Sequence, residues 1–181
     1  MKRANGMANI LIVYSTTFGH TLEICQRMKS VIEKRPHQVS LVEFHACQAT
    51  DIEICDKIVI GASIRYGRHN PQLVNFIKRH RLLLEARPNA FFSVNVVARK
   101  PHKRQADSNP YVRKFLKRIL WKPNHVTVFA GKIDYPIYNP IDRFMIRLIM
   151  TITRGPTDPK GTFEFTDWQQ VEEFGGLISR M

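Results

Sequence analysis

Cysteine and the common metal-binding patterns are scarce in this chain. Its three cysteines, Cys25, Cys47 and Cys55, are odd in number and form no C-x-x-C pair. This count disfavours a disulfide framework or a cysteine metal site, so we expect buried, reduced thiols and a cytoplasmic environment. The seven histidines show no spacing of the H-E-x-x-H kind. We therefore expect no bound metal, and surface or helix-capping positions for the histidines.

Long apolar runs are also missing. No segment approaches the roughly 18 apolar residues of a membrane-spanning helix. The basic start, residues 1–6, leads into an apolar run that is too short for a secretory signal. We expect residues 1–7 to be an extension that the fold does not need, with Met7 as an alternative start. Residues 8–181 are expected to form one domain, because 181 residues with 44% hydrophobic content suit a single core.

Acidic side chains are few. The chain has 15 Asp and Glu against 28 Lys and Arg, which gives a formal net charge of +13. Such an excess favours an anionic partner: nucleic acid, a membrane surface or a small anionic molecule. Nucleic acid is disfavoured, because the aromatic residues do not alternate with basic ones as a base-stacking platform requires.

The most informative segment is an apolar run, residues 8–14, that breaks into the hydroxyl-rich loop Ser15–Thr21. Apolar residues then recur every three or four positions, which predicts a helix beginning near Thr21. A helix N-terminus after such a loop forms a phosphate socket, because its first N–H groups lack partners and the hydroxyls add donors. The loop has neither the lysine-containing triphosphate motif nor G-x-G-x-x-G, so it suits a monophosphate. The alternative is a polar turn whose Ser or Thr merely caps the helix.

Short apolar strands alternate with helical patterns along the rest of the chain. The predicted strands are 39–44, 57–63, 90–97 and 125–133. The predicted helices begin at Pro71, at Pro110 after Ser108 or Asn109, and after a capping box at Thr166–Gln169. This alternation predicts an α/β fold with a doubly wound, five-stranded parallel sheet. Three strand ends are small and polar, 15–21, 63–67 and 93–95, and we expect them to converge on a ligand.

These loops resemble those of a known family. Ser15–Thr21 resembles the FMN-phosphate loop of flavodoxins, with one residue more than the commonest S-x-T-G-x-T form, and Gly61–Gly67 resembles their second flavin loop. A closer similarity is to the flavodoxin-like, quinone-dependent protoporphyrinogen IX dehydrogenases of bacteria. It rests on the stretches 60–67 (IGASIRYG), 93–101 (SVNVVARKP), 142–150 (DRFMIRLIM) and 166–168. The resemblance implies a flavodoxin-like fold with a basic, apolar insertion over about residues 134–162.

The resemblance also implies a cofactor and a reaction. FMN would be bound, and protoporphyrinogen IX would be oxidised to protoporphyrin IX in haem biosynthesis, with menaquinone or ubiquinone as acceptor. The redox chemistry is the flavin's own, so no catalytic side chain is predicted. The predicted FMN-binding residues are Ser15, Thr16, Thr17, Phe18, Gly19, His20, Thr21, Ser63, Ile64, Arg65, Tyr66, Gly67, Phe91, Ser93, Val94, Asn95 and Val96, with Tyr66 stacked on the ring. The cations predicted to pair with the substrate's propionates are Arg65, Arg68, Arg99 and Lys100.

A predicted helix from Ile141 to Arg154 distinguishes the chain from a plain electron carrier. One interpretation is a helix lying in the interface of an anionic inner membrane, which makes the protein peripheral on the cytoplasmic side. The predicted membrane contacts are Arg143, Phe144, Arg147, Ile149 and Met150. The other interpretation is a core or dimer helix, and hence a possible homo-oligomer.

Three alternatives for the whole protein stay open. The first is a soluble electron-transfer flavodoxin, although such proteins usually present an acidic face. The second is another flavodoxin-like quinone oxidoreductase. The third is a basic adaptor that kept the fold and lost the flavin.

Overall fold

Seven strands and six helices follow one another through the part of the chain that the computed structural model describes, residues 6–181. Of the predicted extension, residues 1–5 lie outside the described residues. In chain order the elements are β1 (Asn9–Ser15), α1 (His20–Ile32), β2 (Gln38–Glu43), α2 (Ala49–Ile54), β3 (Lys57–Ser63), α3 (Pro71–Glu85), β4 (Asn89–Val94), α4 (Pro110–Ile119), β5 (His125–Phe129), β6 (Lys132–Asp134), α5 (Pro140–Thr153), β7 (Thr162–Glu164) and α6 (Trp168–Arg180). Short 3₁₀ turns cover Val96–Arg99, Pro101–Lys103 and Tyr135–Ile137.

Five parallel strands form the main sheet in the order β2-β1-β3-β4-β5, as the α/β prediction requires. Successive strand residues point to opposite faces, and both faces are covered. Leu11 and Val13 pack with α2, α3 and α4, whereas Ile10 and Ile12 pack with α1 and α6. The strand order reverses between β1 and β3, so their carboxyl ends flank the crevice where ligands bind in such sheets.

Two predicted strands end earlier than expected. The run 125–133 reads as one strand, but β5 stops at Phe129 and β6 forms a separate antiparallel hairpin with β7. The carbonyls between β5 and β6 are hydrogen-bonded by the segment that follows β7. The Phe165 N–H donates to Gly131 O, and the Thr166 hydroxyl donates to Ala130 O at 2.8 Å. The run 90–97 stops at Val94, because Asn95 turns the chain by accepting the Ala98 N–H. The short helix α2 was not predicted.

Helix starts follow the expected capping chemistry with one exception. The Asn109 side chain accepts the N–H groups of Tyr111 and Val112, which confirms the predicted start of α4. The predicted capping box at Thr166 is wrong: Asp167 caps α6 through the Gln170 N–H. The Thr166 hydroxyl is instead used in the loop at the end of β5.

The cysteines are free and buried, as predicted. Burial raises the pKa of the Cys47 thiol to about 12 and that of Cys55 to about 11. Both are therefore protonated, unreactive core residues near neutral pH.

The segment between β5 and α6 holds the β6–β7 hairpin with α5 between its strands. Ile133, Tyr135, Tyr138 and Met150 form its own small core. Within residues 6–181, no helix is long and apolar enough to cross a membrane.

Candidate functional site

A cavity lies at the carboxyl ends of β1, β3 and β4, under the segment that carries α5. All three predicted loops meet there. The predicted residues that line it are Thr16, Thr17, Phe18, His20, Thr21, Ser63, Ile64, Arg65, Tyr66, Gly67, Val94, Asn95 and Val96. The predicted Ser15, Gly19, Phe91 and Ser93 do not line it. Phe91 is a core residue stacked on Phe115, and Ser93 is buried under the third loop.

The first loop leaves donors free at the start of α1. Gly19 precedes the helix with φ +84°, and no side chain caps the helix N-terminus. The Thr21 hydroxyl is fully buried, lines the cavity and has no hydrogen-bond partner among the described residues. A buried hydroxyl without a partner is costly, and an oxyanion at the helix N-terminus would satisfy it together with the uncapped N–H groups. The residues present therefore fit a phosphate.

His20 braces this loop. Its Nδ1 lies 2.9 Å from a Glu23 carboxylate oxygen, and its Nε2 lies 2.7 Å from the Thr166 hydroxyl. Both ring nitrogens are thus engaged within the protein. The predicted role of the His20 side chain as a phosphate donor therefore has no free ring nitrogen to rely on.

The second loop is a tight hairpin turn that displays Tyr66. Arg65 and Arg68 exchange backbone hydrogen bonds of 3.0 and 3.2 Å across Tyr66 and Gly67. Both central residues have positive φ, 49° and 75°, as in a type I′ turn. Glycine adopts this conformation freely, whereas Tyr66 pays about 1–2 kcal/mol for it. Tyr66 is 46% exposed and lines the cavity.

The third loop is held by a buried polar network. The Asn95 side chain accepts from Asn109 Nδ2 at 3.2 Å and donates to the Ser93 hydroxyl, which also bonds His69 Nε2 at 2.9 Å. The Asn95 N–H donates to Phe129 O. The Asn95 side chain is thus engaged within the protein, and Val96 and Val97 line the cavity beside it.

His69 corrects the expectation of surface histidines. It is 4% exposed, and burial lowers its pKa to about 3, so the ring is neutral near neutral pH. Its position before α3 shows no apolar periodicity that would have indicated burial.

Helix α5 supplies an apolar wall. Ile146, Ile149 and Met150 line the cavity, and Met150 is only 3% exposed. The burial of Met150 contradicts its predicted membrane contact, whereas Ile149 is half-buried and lines the cavity. With 3.6 residues per turn they lie on the inner face of the helix, opposite the exposed Phe144 and Leu148. Of the other predicted contacts, Arg147 is exposed, and Arg143 is half-buried with its guanidinium on the Tyr138 carbonyl.

The predicted propionate partners do not assemble. Arg68 and Lys100 do not line the cavity, and the Arg99 guanidinium donates to the carbonyl and hydroxyl of Thr153 at the end of α5. Arg65 lines the cavity but is paired with Asp142 at 2.8 Å. The charged residues of the lining are Glu23, Arg65, Lys132, Asp134 and Asp142, so carboxylates outnumber cations there.

Asp142 was not predicted as a site residue, although it lines the cavity and is 1% exposed. Its carboxylate accepts from Arg65 Nη2, from the Tyr66 hydroxyl and from Asn139 Nδ2. Burial opposes ionisation, but the hydrogen bonds from Tyr66 and Arg65 outweigh it and hold the pKa below its usual value. Tyr138, Ile146 and Tyr111 are further lining residues that were not predicted.

Comparison with known sequences assigns the chain to a family. The flavodoxin domain family matches residues 11–160. The protoporphyrinogen IX dehydrogenase (quinone) of Escherichia coli (strain K12) is 42% identical over 171 residues, covering 94% of this chain and 94% of that protein. The protein of the same name from Leishmania major is 40% identical over 165 residues, covering 91% of this chain and 71% of that protein.

Solved structures agree on the fold. The Streptococcus pneumonia TIGR4 flavodoxin has a TM-score of 0.56 at 12% identity, covering 96% of this chain and 99% of that one. The oxidised flavodoxin 1 from Bacillus cereus has a TM-score of 0.54 at 12% identity, covering 95% and 97%. At 12% sequence identity these similarities support an assignment of the fold alone. They confirm the predicted flavodoxin-like fold. The chain therefore belongs to the flavodoxin-domain family and, within it, to the group of the protoporphyrinogen IX dehydrogenases (quinone).

Proposed function

We propose that this chain binds FMN and oxidises protoporphyrinogen IX to protoporphyrin IX, passing the electrons to menaquinone or ubiquinone. The observation that carries the proposal is the meeting of two features in one cavity. One is the uncapped start of α1 with the unpartnered Thr21 hydroxyl, and the other is the aromatic turn at Tyr66. Together they suit a flat ring with a phosphate tail, in a chain 42% identical to an enzyme of that name.

FMN supplies the electron and hydride transfer when bound, and the protein supplies position. Thr16, Thr17, Thr21 and the first-turn N–H groups of α1 would hold the phosphate. Tyr66 would cover one face of the ring, and the backbone of Val96 and Val97 would meet its polar edge. No side-chain acid or base is assigned.

The inner face of α5 would meet the substrate. Ile146, Ile149 and Met150 offer an apolar wall to a tetrapyrrole or a quinone. Arg65 is paired with Asp142, and Lys132 lies 3.9 Å from both Glu23 and Asp134. Both cations of the described lining thus already face carboxylates of the chain, so the propionates would stay at the rim. This replaces the hypothesis that four cations around the flavin hold them.

We further propose that α5 rests on the anionic surface of the inner membrane. Ile141, Phe144, Leu148 and Ile152 form an exposed apolar stripe, with Phe144 65% and Leu148 45% exposed. Arg147 and Arg154 lie beside it and would meet headgroups. The stripe lies on the face of α5 opposite the cavity wall, so the helix would hold the cavity close to a lipid-soluble acceptor.

Anaerobic reduction tests the reaction. Purified protein with FMN should lose its flavin absorbance on mixing with protoporphyrinogen IX and regain it when quinone is added. Flavin that stays oxidised would move the assignment to an electron-transfer flavodoxin. Protein that takes up no FMN would rule out both redox functions and leave the adaptor.

Co-sedimentation with anionic liposomes tests the membrane contact. The double substitution Phe144→Asp and Leu148→Asp should abolish binding while FMN stays bound. The matched control is Leu82→Asp, because Leu82 is 77% exposed on α3, a different helix. Retained binding by the double variant would refute the membrane face. A shift of the unsubstituted protein to dimer in sedimentation, lost in the double variant, would assign the stripe to self-association.

A further inference from the structure

Asp142 is a buried carboxylate on the otherwise apolar inner face of α5. The inner face of α5 is otherwise apolar, with Ile146, Ile149 and Met150 at the following helical positions. A buried carboxylate is costly unless it is paired and hydrogen-bonded. Asp142 is 1% exposed and meets that condition only through residues of the β3–α3 turn and Asn139.

The carboxylate of Asp142 is not the cap of α5. Asn139 caps α5, because its side-chain oxygen accepts the Asp142 backbone N–H at 2.8 Å. The far end of α5 is held separately by Arg99, which donates to the Thr153 carbonyl at 3.1 Å. The Asp142 carboxylate also accepts from Asn139 Nδ2 at 2.8 Å, so it joins the start of the helix to the β3–α3 turn.

The conformation of the β3–α3 turn is stabilised by a residue outside it. Tyr66 sits at φ 49°, a strained conformation for a side-chain-bearing residue, and nearly half of its surface is exposed. Its hydroxyl donates to Asp142 Oδ1. The Arg65 guanidinium bonds both carboxylate oxygens and lies 5.0 Å from the centre of the Tyr66 ring.

The same guanidinium reaches the phosphate loop. It lies 5.7 Å from the centre of the Phe18 ring, which in turn packs on Tyr138 at 4.7 Å. The first loop, the second loop and the segment around α5 thus all contact the Arg65 guanidinium. Asp142, which lines the cavity, forms the ion pair with it.

We propose that Asp142 is a positioning residue whose carboxylate holds Tyr66 and Arg65 in place against the bound flavin. This rests on the proposed FMN site. The hydrogen bond from its hydroxyl to Asp142 restricts rotation of the Tyr66 side chain, so the ring is pre-organised to stack on the flavin. The charge of Arg65 is also paired with a carboxylate of its own chain.

A double-mutant cycle on the apoprotein tests this. Asp142→Asn, Tyr66→Phe and the double variant are titrated with FMN by fluorescence quenching. The visible circular dichroism of each is recorded at saturating FMN. Each single change should raise the Kd for FMN about fivefold to tenfold, because the turn must then be ordered when FMN binds. Tyr66→Phe removes the bond to the carboxylate, whereas Asp142→Asn removes the charge that both Tyr66 and Arg65 contact. The double variant should be no weaker than Asp142→Asn alone, and all three should share one altered flavin spectrum.

Matched controls separate positioning from folding. Asp158→Asn removes a carboxylate from the exposed loop after α5 and should leave both Kd and spectrum unchanged. A merely structural role would lower the melting temperature of Asp142→Asn without changing the spectrum of the saturated protein. Additive losses in the cycle, or a wild-type spectrum in Asp142→Asn, would overturn the proposal even if that variant is less stable. Tyr66→Phe keeps the test valid if Asp142→Asn does not fold. Failure of the unsubstituted protein to bind FMN would refute the FMN site itself.

Discussion

The substitution Thr21→Val should move the stability of the apoprotein and its affinity for FMN in opposite directions. Valine matches threonine in shape, and the Thr21 hydroxyl is fully buried with no hydrogen-bond partner among the described residues. Removing an unsatisfied buried hydroxyl relieves its desolvation penalty of about 1–3 kcal/mol. In a domain of this size, about 1 kcal/mol raises the melting temperature by roughly 2–4 °C.

The same hydroxyl is predicted to donate to the FMN phosphate. A hydrogen bond to a charged group contributes about 1.5–3 kcal/mol, so its loss should raise the Kd roughly 10- to 150-fold. Thermal melting of the apoprotein and fluorescence titration with FMN measure the two effects on one preparation. The control is Thr151→Val, whose exposed hydroxyl bonds the Arg147 carbonyl away from the cavity. An unchanged Kd would refute the phosphate socket, and a destabilised apoprotein would show that the hydroxyl is already satisfied.

Three further predictions concern the loops around the site. Gly19→Ala should lower the free energy of unfolding of the apoprotein in urea by about 1–2 kcal/mol, because alanine is strained at a φ of +84°. An added Cβ meets no atom within 4 Å, so the effect reports the backbone conformation alone. An unchanged free energy of unfolding would show that this φ is not required. His69 is neutral in the fold and has a pKa of about 3, against about 6.5 unfolded, so protons favour the unfolded state and stability falls as pH falls below about 6.5. This group alone should remove about 2 kcal/mol between pH 7 and pH 5, and His69→Gln should flatten that slope; an equal slope in both proteins would contradict its burial. Arg99→Met should speed chymotrypsin cleavage within α5 several-fold, since hydrogen bonds to Thr153 of about 1 kcal/mol each are lost, and equal rates would show that Arg99 does not hold the helix.

Local chemistry explains why much of the fold is readable from the chain. Parallel strands buried on both faces appear as apolar runs, and Pro110 after Asn109 marks a helix start. The strand over 125–133 was mispredicted because its apolar pattern continues past Phe129. Its end depends on Phe165 and Thr166, which lie more than thirty residues away along the chain. Hydrogen bonds of that range leave no periodic signal.

The three loops of the site can be predicted from the residues alone, because Ser15–Thr21, 63–67 and 93–95 follow apolar strands and strand ends share one edge of the sheet. Which side chains face the cavity depends on the packing of distant segments. A helix pattern shows that α5 has two faces but not which one lies inward, and the packing turns Met150 toward the cavity and Phe144 toward solvent. The packing also pairs Arg65 with Asp142. The sequence alone does not distinguish a cation that binds a substrate carboxylate from one that pairs with a carboxylate of its own chain.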